Sequence, residues 1–146
     1  MYLFCGVVFA NYTMNELKSL YGEPRPYWLS DKISAVHCGT GFGNPSGHML
    51  NNSFLWVSLY LHVFFDTALS FGDQEIDREG GSPRRVGPLS RFIALLVMAG
   101  FLGMMAVSRV YLGAHTLNQV LFGTLIGSTL AAIGHFKVKP IFMMLP

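Results

Sequence analysis

The sequence predicts an all-α, multi-span transmembrane helical bundle with a polar site gathered at one membrane face. Two observations carry that expectation. Apolar residues make up 51% of the chain and charged residues only 12%, a balance that a water-soluble surface does not tolerate but a bilayer does. Apolar stretches of membrane length also alternate with connections rich in Gly, Pro and polar residues, as in a chain that threads in and out of hydrocarbon.

Taken in order, residues 1–10 are apolar but carry no basic n-region or cleavage site, so a signal peptide is not expected. Extended through residues 11–17, the same stretch reaches toward a span. Apolar runs then cover 48–71, 88–107 and 110–136, each long enough to cross a hydrocarbon core of about 30 Å at about 1.5 Å per residue. Between the second and third spans, residues 72–87 hold Asp73, Glu75, Asp77, Arg78, Glu79, Arg84 and Arg85 with Gly80, Gly81 and Pro83, the composition of a solvated loop. Residues 141–146 read as the opening of another apolar segment. The expectation is a single membrane domain over residues 1–146 that is a fragment lacking further transmembrane helices.

Threading these spans brings segment 18–47, the end of the third span near Ser108 and the start of the fourth near His115 to one face. The other face carries Arg78, Arg84, Arg85, Arg91, Lys137 and Lys139, against Lys18, Arg25, Lys32 and Arg109 on the first. By the positive-inside tendency the more basic side is cytoplasmic, so the polar cluster faces a lumen or the exterior.

Several partner classes fall away. The formal net charge of +2 is small and its basic residues are scattered, which argues against nucleic acid. Cys5 and Cys38 have neither disulfide-framework nor zinc-ligand spacing and read as packing residues. His37, His62 and His135 stand outside any motif and read as structural. Tyr27 and Trp28 fit an interfacial aromatic belt. The sequons at Asn11 and Asn51 would lie in or against the bilayer, out of reach of glycosylation.

Three strings share the predicted polar face: Lys18 with Arg25-Pro26; Pro45-Ser46-Gly47-His48, opening an apolar helix; and Ser108-Arg109 with His115, between two spans. Singly, each has a bland reading as an interfacial anchor or a helix cap. Together they suit a tetrahedral oxyanion. Lys18, Arg25 and Arg109 supply fixed positive charge, with bidentate reach from the guanidinium groups. Ser46 offers a hydroxyl, and Gly47 lets a backbone N–H at a helix start approach the ligand. Of His48 and His115, one suits attack on phosphorus and the other protonation of the leaving oxygen. No carboxylate cluster suits magnesium, so neither a metal nor another cofactor is expected, and the cations would stabilise the charge instead.

The pattern K-x6-RP, PSGH, SR-x5-H resembles the type 2 phosphatidic acid phosphatase superfamily, and the resemblance extends from Lys18 to Gln119. It implies an active site at one membrane face in which His115 is the nucleophile through a phosphohistidine, His48 the general acid, and Lys18, Arg25, Ser46, Gly47 and Arg109 the phosphate ligands. The broad pattern has an Asp four residues after the nucleophile to orient its ring, where this chain has Gln119. If His115 and Gln119 share a helix face, the Gln carbonyl could accept from the imidazole, without offering a negative charge.

Gln at that position, the extension Arg25-Pro26-Tyr27-Trp28, the approach Thr40-Gly41-Phe-Gly43 before the PSGH string, and the form SRVYLGAH are similar to the glucose-6-phosphatase branch. That likeness implies hydrolysis of glucose 6-phosphate in gluconeogenesis and glycogenolysis, in the endoplasmic reticulum membrane with the site facing the lumen. The alternatives are a lipid phosphate phosphatase acting on phosphatidate or polyprenyl diphosphate, and a non-catalytic, degenerate relative.

Overall fold

A computed structural model describes residues 2–33, 39, 41–66 and 87–144. Every regular element among the described residues is helical. Helix α1 (Tyr2–Tyr21) joins the apolar start and the polar stretch after it into one 20-residue rod, about 30 Å long. It stops where Gly22 adopts φ 55, a left-handed cap that glycine enters freely, with the Gly22 N–H closing on the Lys18 carbonyl at 3.1 Å. Lys18 in the last turn complements the negative end of the helix dipole.

A single turn, α2 (Pro26–Leu29), starts on a proline, whose fixed φ suits the first helical position. Helix α3 (Gly47–Leu61) follows Ser46 as N-cap and continues as a π-helical turn, His62–Asp66. Helix α4 (Pro88–Tyr111) again begins on a proline, and none of its residues is buried. Helix α5 (Leu117–Ile133) runs through a second π-helical turn, Gly134–Val138, into α6 (Lys139–Met144). By length and composition, α4 (24 residues) and the continuous run Leu117–Met144 (28 residues) are each able to cross a membrane.

Three boundaries differ from expectation. Val110 and Tyr111 complete α4, and the last long helix starts only at Leu117, because Gly113 turns the chain with φ 65. Lys137 and Lys139, expected in a tail, lie within the final rod, and residues 141–144 continue that rod instead of opening a new segment. Of the charged loop 72–87 only Gly87 is among the described residues, and His37, Cys38 and Thr40 also fall outside them.

The bundle is organised by close contact between α3 and α5. Gly123, Gly127 and Ala131 recur every fourth residue and are all buried on one face of α5, a small-residue stripe that lets two backbones approach. A Cβ built on Gly123 would stand 2.7 Å from the Ser46 carbonyl oxygen, and one on Gly127 would run into the Leu50 carbonyl. Helix α1 closes the third side of the core, where Ala10, Leu50, Phe54 and Ala131 meet. Helix α4 leans on this unit through Phe101 against Trp56, ring centroids 5.0 Å apart. The end of α1 and the start of α3 meet the loop before α5 at one end of the bundle, where Ser46 N–H donates to the Gln119 carbonyl at 3.0 Å. At the other end Tyr2 packs on Phe142, Phe65 on Phe136, and Lys139 Nζ lies 3.3 Å from His62 Nδ1. His135 is buried there beside Phe136.

Substituting Gly127→Val should therefore drive α3 and α5 apart, with an overpacking cost of about 1–3 kcal/mol. Gly103→Ala, where an added Cβ meets nothing within 4 Å, should be neutral. Thermal retention of the monodisperse peak in detergent-phase size exclusion checks both, and equal retention by the two variants would contradict the packing described.

Candidate active site

Beside the end of α1 and the start of α3 lies a cavity of about 610 Å³, walled by Met14, Lys18, Arg25, Gly39, Gly47, His48, Asn51, Asn52, Arg109, Ala114 and His115. Lys18, Arg25, Gly47, His48, Arg109 and His115, drawn from three separate strings, thus converge on one space. Ser46 and Gln119 do not line it, and both are fully buried behind it.

Each cation is set by the element that carries it. Lys18 comes from the last turn of α1, and its ammonium lies beside the start of α3, 3.7 Å from where a Cβ on Gly47 would stand. Arg25, only 7% exposed, donates through Nε to the Gly41 carbonyl at 2.9 Å and through Nη1 to the Ala114 carbonyl at 3.4 Å. Among the described residues its remaining N–H groups have no hydrogen-bond partner. Gly39 covers the guanidinium so closely that a Cβ there would lie 2.7 Å from its central carbon, and the Tyr27 hydroxyl holds that glycine by donating to its carbonyl at 2.8 Å. Arg109 ends α4, and its Nε is buried without a protein partner.

The interval between Arg109 and His115 is a helix end folded back on itself. The Arg109 carbonyl receives the N–H of Ala114 at 3.2 Å and of His115 at 3.3 Å, so the guanidinium and the imidazole issue from one turn. His115 precedes α5, whose N-cap is Thr116. It therefore shares no helix face with Gln119, contrary to the arrangement the sequence suggested. Its Nδ1 lies 2.9 Å from the Gly43 carbonyl oxygen. A carbonyl only accepts, so Nδ1 carries the hydrogen and the lone pair of the neutral ring sits on Nε2. A backbone acceptor thus orients the nucleophile candidate, together with a hydrogen bond from the ring to the Gln119 side chain.

Gln119 supports that arrangement from behind. Its Nε2 donates to the Pro24 carbonyl at 3.0 Å, its Oε1 accepts from Thr116 N–H at 3.2 Å, and its own N–H donates to Thr116 Oγ1 at 3.3 Å. Gly43 is pressed against the same amide, with room for no Cβ, and its N–H donates to the Glu23 carbonyl at 2.7 Å. Ser46 uses its backbone N–H on Gln119, while its hydroxyl is buried without a partner. At the start of α3, the backbone N–H groups of the first turn have no carbonyl of their own helix to meet.

Burial, and then the Arg25 charge, lower the His115 pKa to about 4; the Gly43 carbonyl and the Gln119 side chain pull it upward, and Lys18 pushes it down. All of these act in the expected directions, since desolvation and nearby cations both disfavour an imidazolium.

The sequence profile of the PAP2 superfamily matches residues 1–140. The chain belongs to the PAP2 superfamily. Among relatives, it is 31% identical over 130 residues to glucose-6-phosphatase catalytic subunit 1 of Haplochromis nubilus, covering 78% of this chain and 33% of that protein. It is 30% identical over 129 residues to the protein of the same name from Haplochromis xenognathus, covering 77% and 42%. The chain therefore spans well under half the length of these curated relatives. No solved structure matches.

Reading side chains alone overlooked several positions around this cavity. Gly39, Gly41 and Gly43 serve through their backbones, and their alternation ahead of Pro45-Ser46-Gly47-His48 was the available signal of close backbone approach. Asn51 and Asn52 were read only as part of a sequon, although both line the cavity.

The lowered pKa has a direct consequence. On acidification His115 should stay neutral through the usual histidine range and take a proton only near pH 4. In ¹⁵N-histidine NMR of the micellar protein, the resonance missing from His115→Asn should titrate with that midpoint. Vanadate should raise it by cancelling the cationic field. A midpoint at 6.5 or above without anion would contradict the geometry.

Proposed function

We propose that this chain carries the site of a metal-independent phosphomonoesterase in a membrane-spanning helical bundle. The observation that supports it most is the pairing of His115 Nδ1 with a carbonyl, which leaves Nε2 as a neutral nucleophile on the wall of a cavity shared with Lys18, Arg25 and Arg109. Those cations would hold the phosphoryl oxygens, aided by the first backbone N–H groups of α3. The N–H of Gly47 on the cavity wall completes the phosphate-binding set, and the hydroxyl of Ser46, unpartnered among the described residues and buried directly behind that wall, would serve as a further donor.

Chemistry then proceeds in two displacements. Nε2 of His115 bonds to phosphorus as the ester P–O bond breaks, and His48 gives its proton to the departing alkoxide, which leaves as the alcohol. Water next attacks the phosphohistidine, passing a proton back to His48. The P–N bond breaks, releasing phosphate and restoring both rings. Positive charge around the phosphoryl group stabilises the equatorial oxygens in both steps. Gln119 orients His115 through its side-chain hydrogen bond to the ring and through the Gly43 and Thr116 backbone.

Similarity to the two glucose-6-phosphatase relatives supports glucose 6-phosphate as the substrate, and with it a role in gluconeogenesis and glycogenolysis at the endoplasmic reticulum membrane, site toward the lumen. The two apolar helices of membrane length support integration in a lipid bilayer.

Phosphate release by the full-length protein in membranes, with chelator present, tests the reading. Glucose 6-phosphate should be hydrolysed, His115→Ala should fall to background, and His48→Ala should lose about 10²–10⁴-fold in kcat. Release confined to dispersed phosphatidate would move the substrate to a lipid phosphate. Inertness toward both, with no vanadate binding, would identify a degenerate relative.

A further inference from the structure

We infer that Asn51 and Asn52 form a specificity-determining floor of the cavity that receives the hydroxyl groups of a polyhydroxylated phosphate ester. This rests on the phosphatase reading above and adds what recognises the part of the substrate that bears no phosphate. Both residues stand on α3 one turn beyond His48 and line the same cavity as the three cations. An ester whose leaving oxygen lies at His48 would therefore extend its carbon skeleton along them.

Their amides are held in defined orientations. Asn11 Nδ2 donates to the Val7 carbonyl at 3.1 Å, which turns Asn11 Oδ1 outward to accept from Asn51 Nδ2 at 2.9 Å. Asn51 lines the cavity, and its Oδ1 is buried beside it as an acceptor without a partner among the described residues. Asn52 Nδ2 donates to the His48 carbonyl at 2.8 Å, so its oxygen too is available to accept. A hydroxyl both donates and accepts, so a sugar can satisfy such oxygens and the spare N–H groups beside them. An acyl chain can do neither and would leave the amides unsatisfied.

The rest of the wall agrees. Apart from glycines, its apolar members are Met14 and Ala114, against three cations, two histidines and the two asparagines. A volume of about 610 Å³ is that of an ordinary small-molecule site.

The test compares kcat/KM for glucose 6-phosphate with that for phenyl phosphate, which offers the same phosphoryl group on a leaving group without hydroxyls. The full-length protein in membranes is measured beside Asn51→Ala and Asn52→Ala. Because the Asn52 bond among the described residues stays within its own helix, its variant guards against loss of the α1 to α3 contact, and vanadate inhibition reports that the phosphate end is assembled. The ratio of the two kcat/KM values should fall about tenfold in each variant, mainly through KM for the sugar phosphate. An unchanged ratio, even with both activities reduced, would overturn the inference by showing that the asparagines only hold helices together. A wild-type protein that turns over phenyl phosphate but not the sugar phosphate would overturn it alone, whereas one inert to both would remove the phosphatase reading with it.

Discussion

A single buried amide ties the site together. Gln119 is fully buried, and a buried amide must find partners for each of its polar atoms. It finds them in the Pro24 carbonyl just before Arg25 and the Thr116 backbone just after His115, while its main-chain carbonyl takes the N–H of Ser46. The three strings that bring cations and histidines to the cavity are thus registered against one residue. An aspartate there, as the broader superfamily pattern has it, would set a negative charge near His115 and favour an imidazolium. Glutamine performs the tethering without that charge, consistent with a ring held neutral well below the ordinary histidine range.

The helices supply the frame to which these loops are pinned. Gly123 and Gly127 let α5 slide against the backbone of α3, and the Ser46 carbonyl that Gly123 approaches belongs to the N-cap of the helix carrying His48. Packing in the middle of the bundle therefore determines where the PSGH turn sits relative to Gln119. Helix α4 contributes differently. It buries no residue of its own, yet its last turn provides Arg109 and, through that residue's carbonyl, the backbone anchor of His115.

Most of the cluster was legible because charged and titratable side chains at fixed intervals leave a strong mark in an apolar sequence. What was not legible came from the backbone. His115 and Gln119 looked like neighbours on a helix because they are four apart, but Thr116 with Gln119 three residues later is itself a capping-box pattern, and the box that forms there starts α5 after His115. The orienting acceptor was assigned to the Gln119 side chain for the same reason; that side chain does hydrogen-bond the ring, and the Gly43 carbonyl, at 2.9 Å from Nδ1, is the partner the spacing gave no sign of. The end of the fourth span was drawn before Lys137 because charges usually mark a boundary; the long helix carries both lysines and continues past them. The glycine pair in α5 showed the GxxxG spacing plainly, and its meaning emerged only once α3 lay against it.

The carbonyl of Gly43 also bears on how such a site tolerates genetic change. Every amino acid brings the same carbonyl, so no codon change at position 43 deletes the acceptor. What a codon change alters is bulk, against a Gln119 amide that leaves no room for a Cβ. In a saturation-mutagenesis map, position 43 would register as intolerant of any side chain, like a residue needed for folding, while its part in fixing the histidine tautomer left no separate signature.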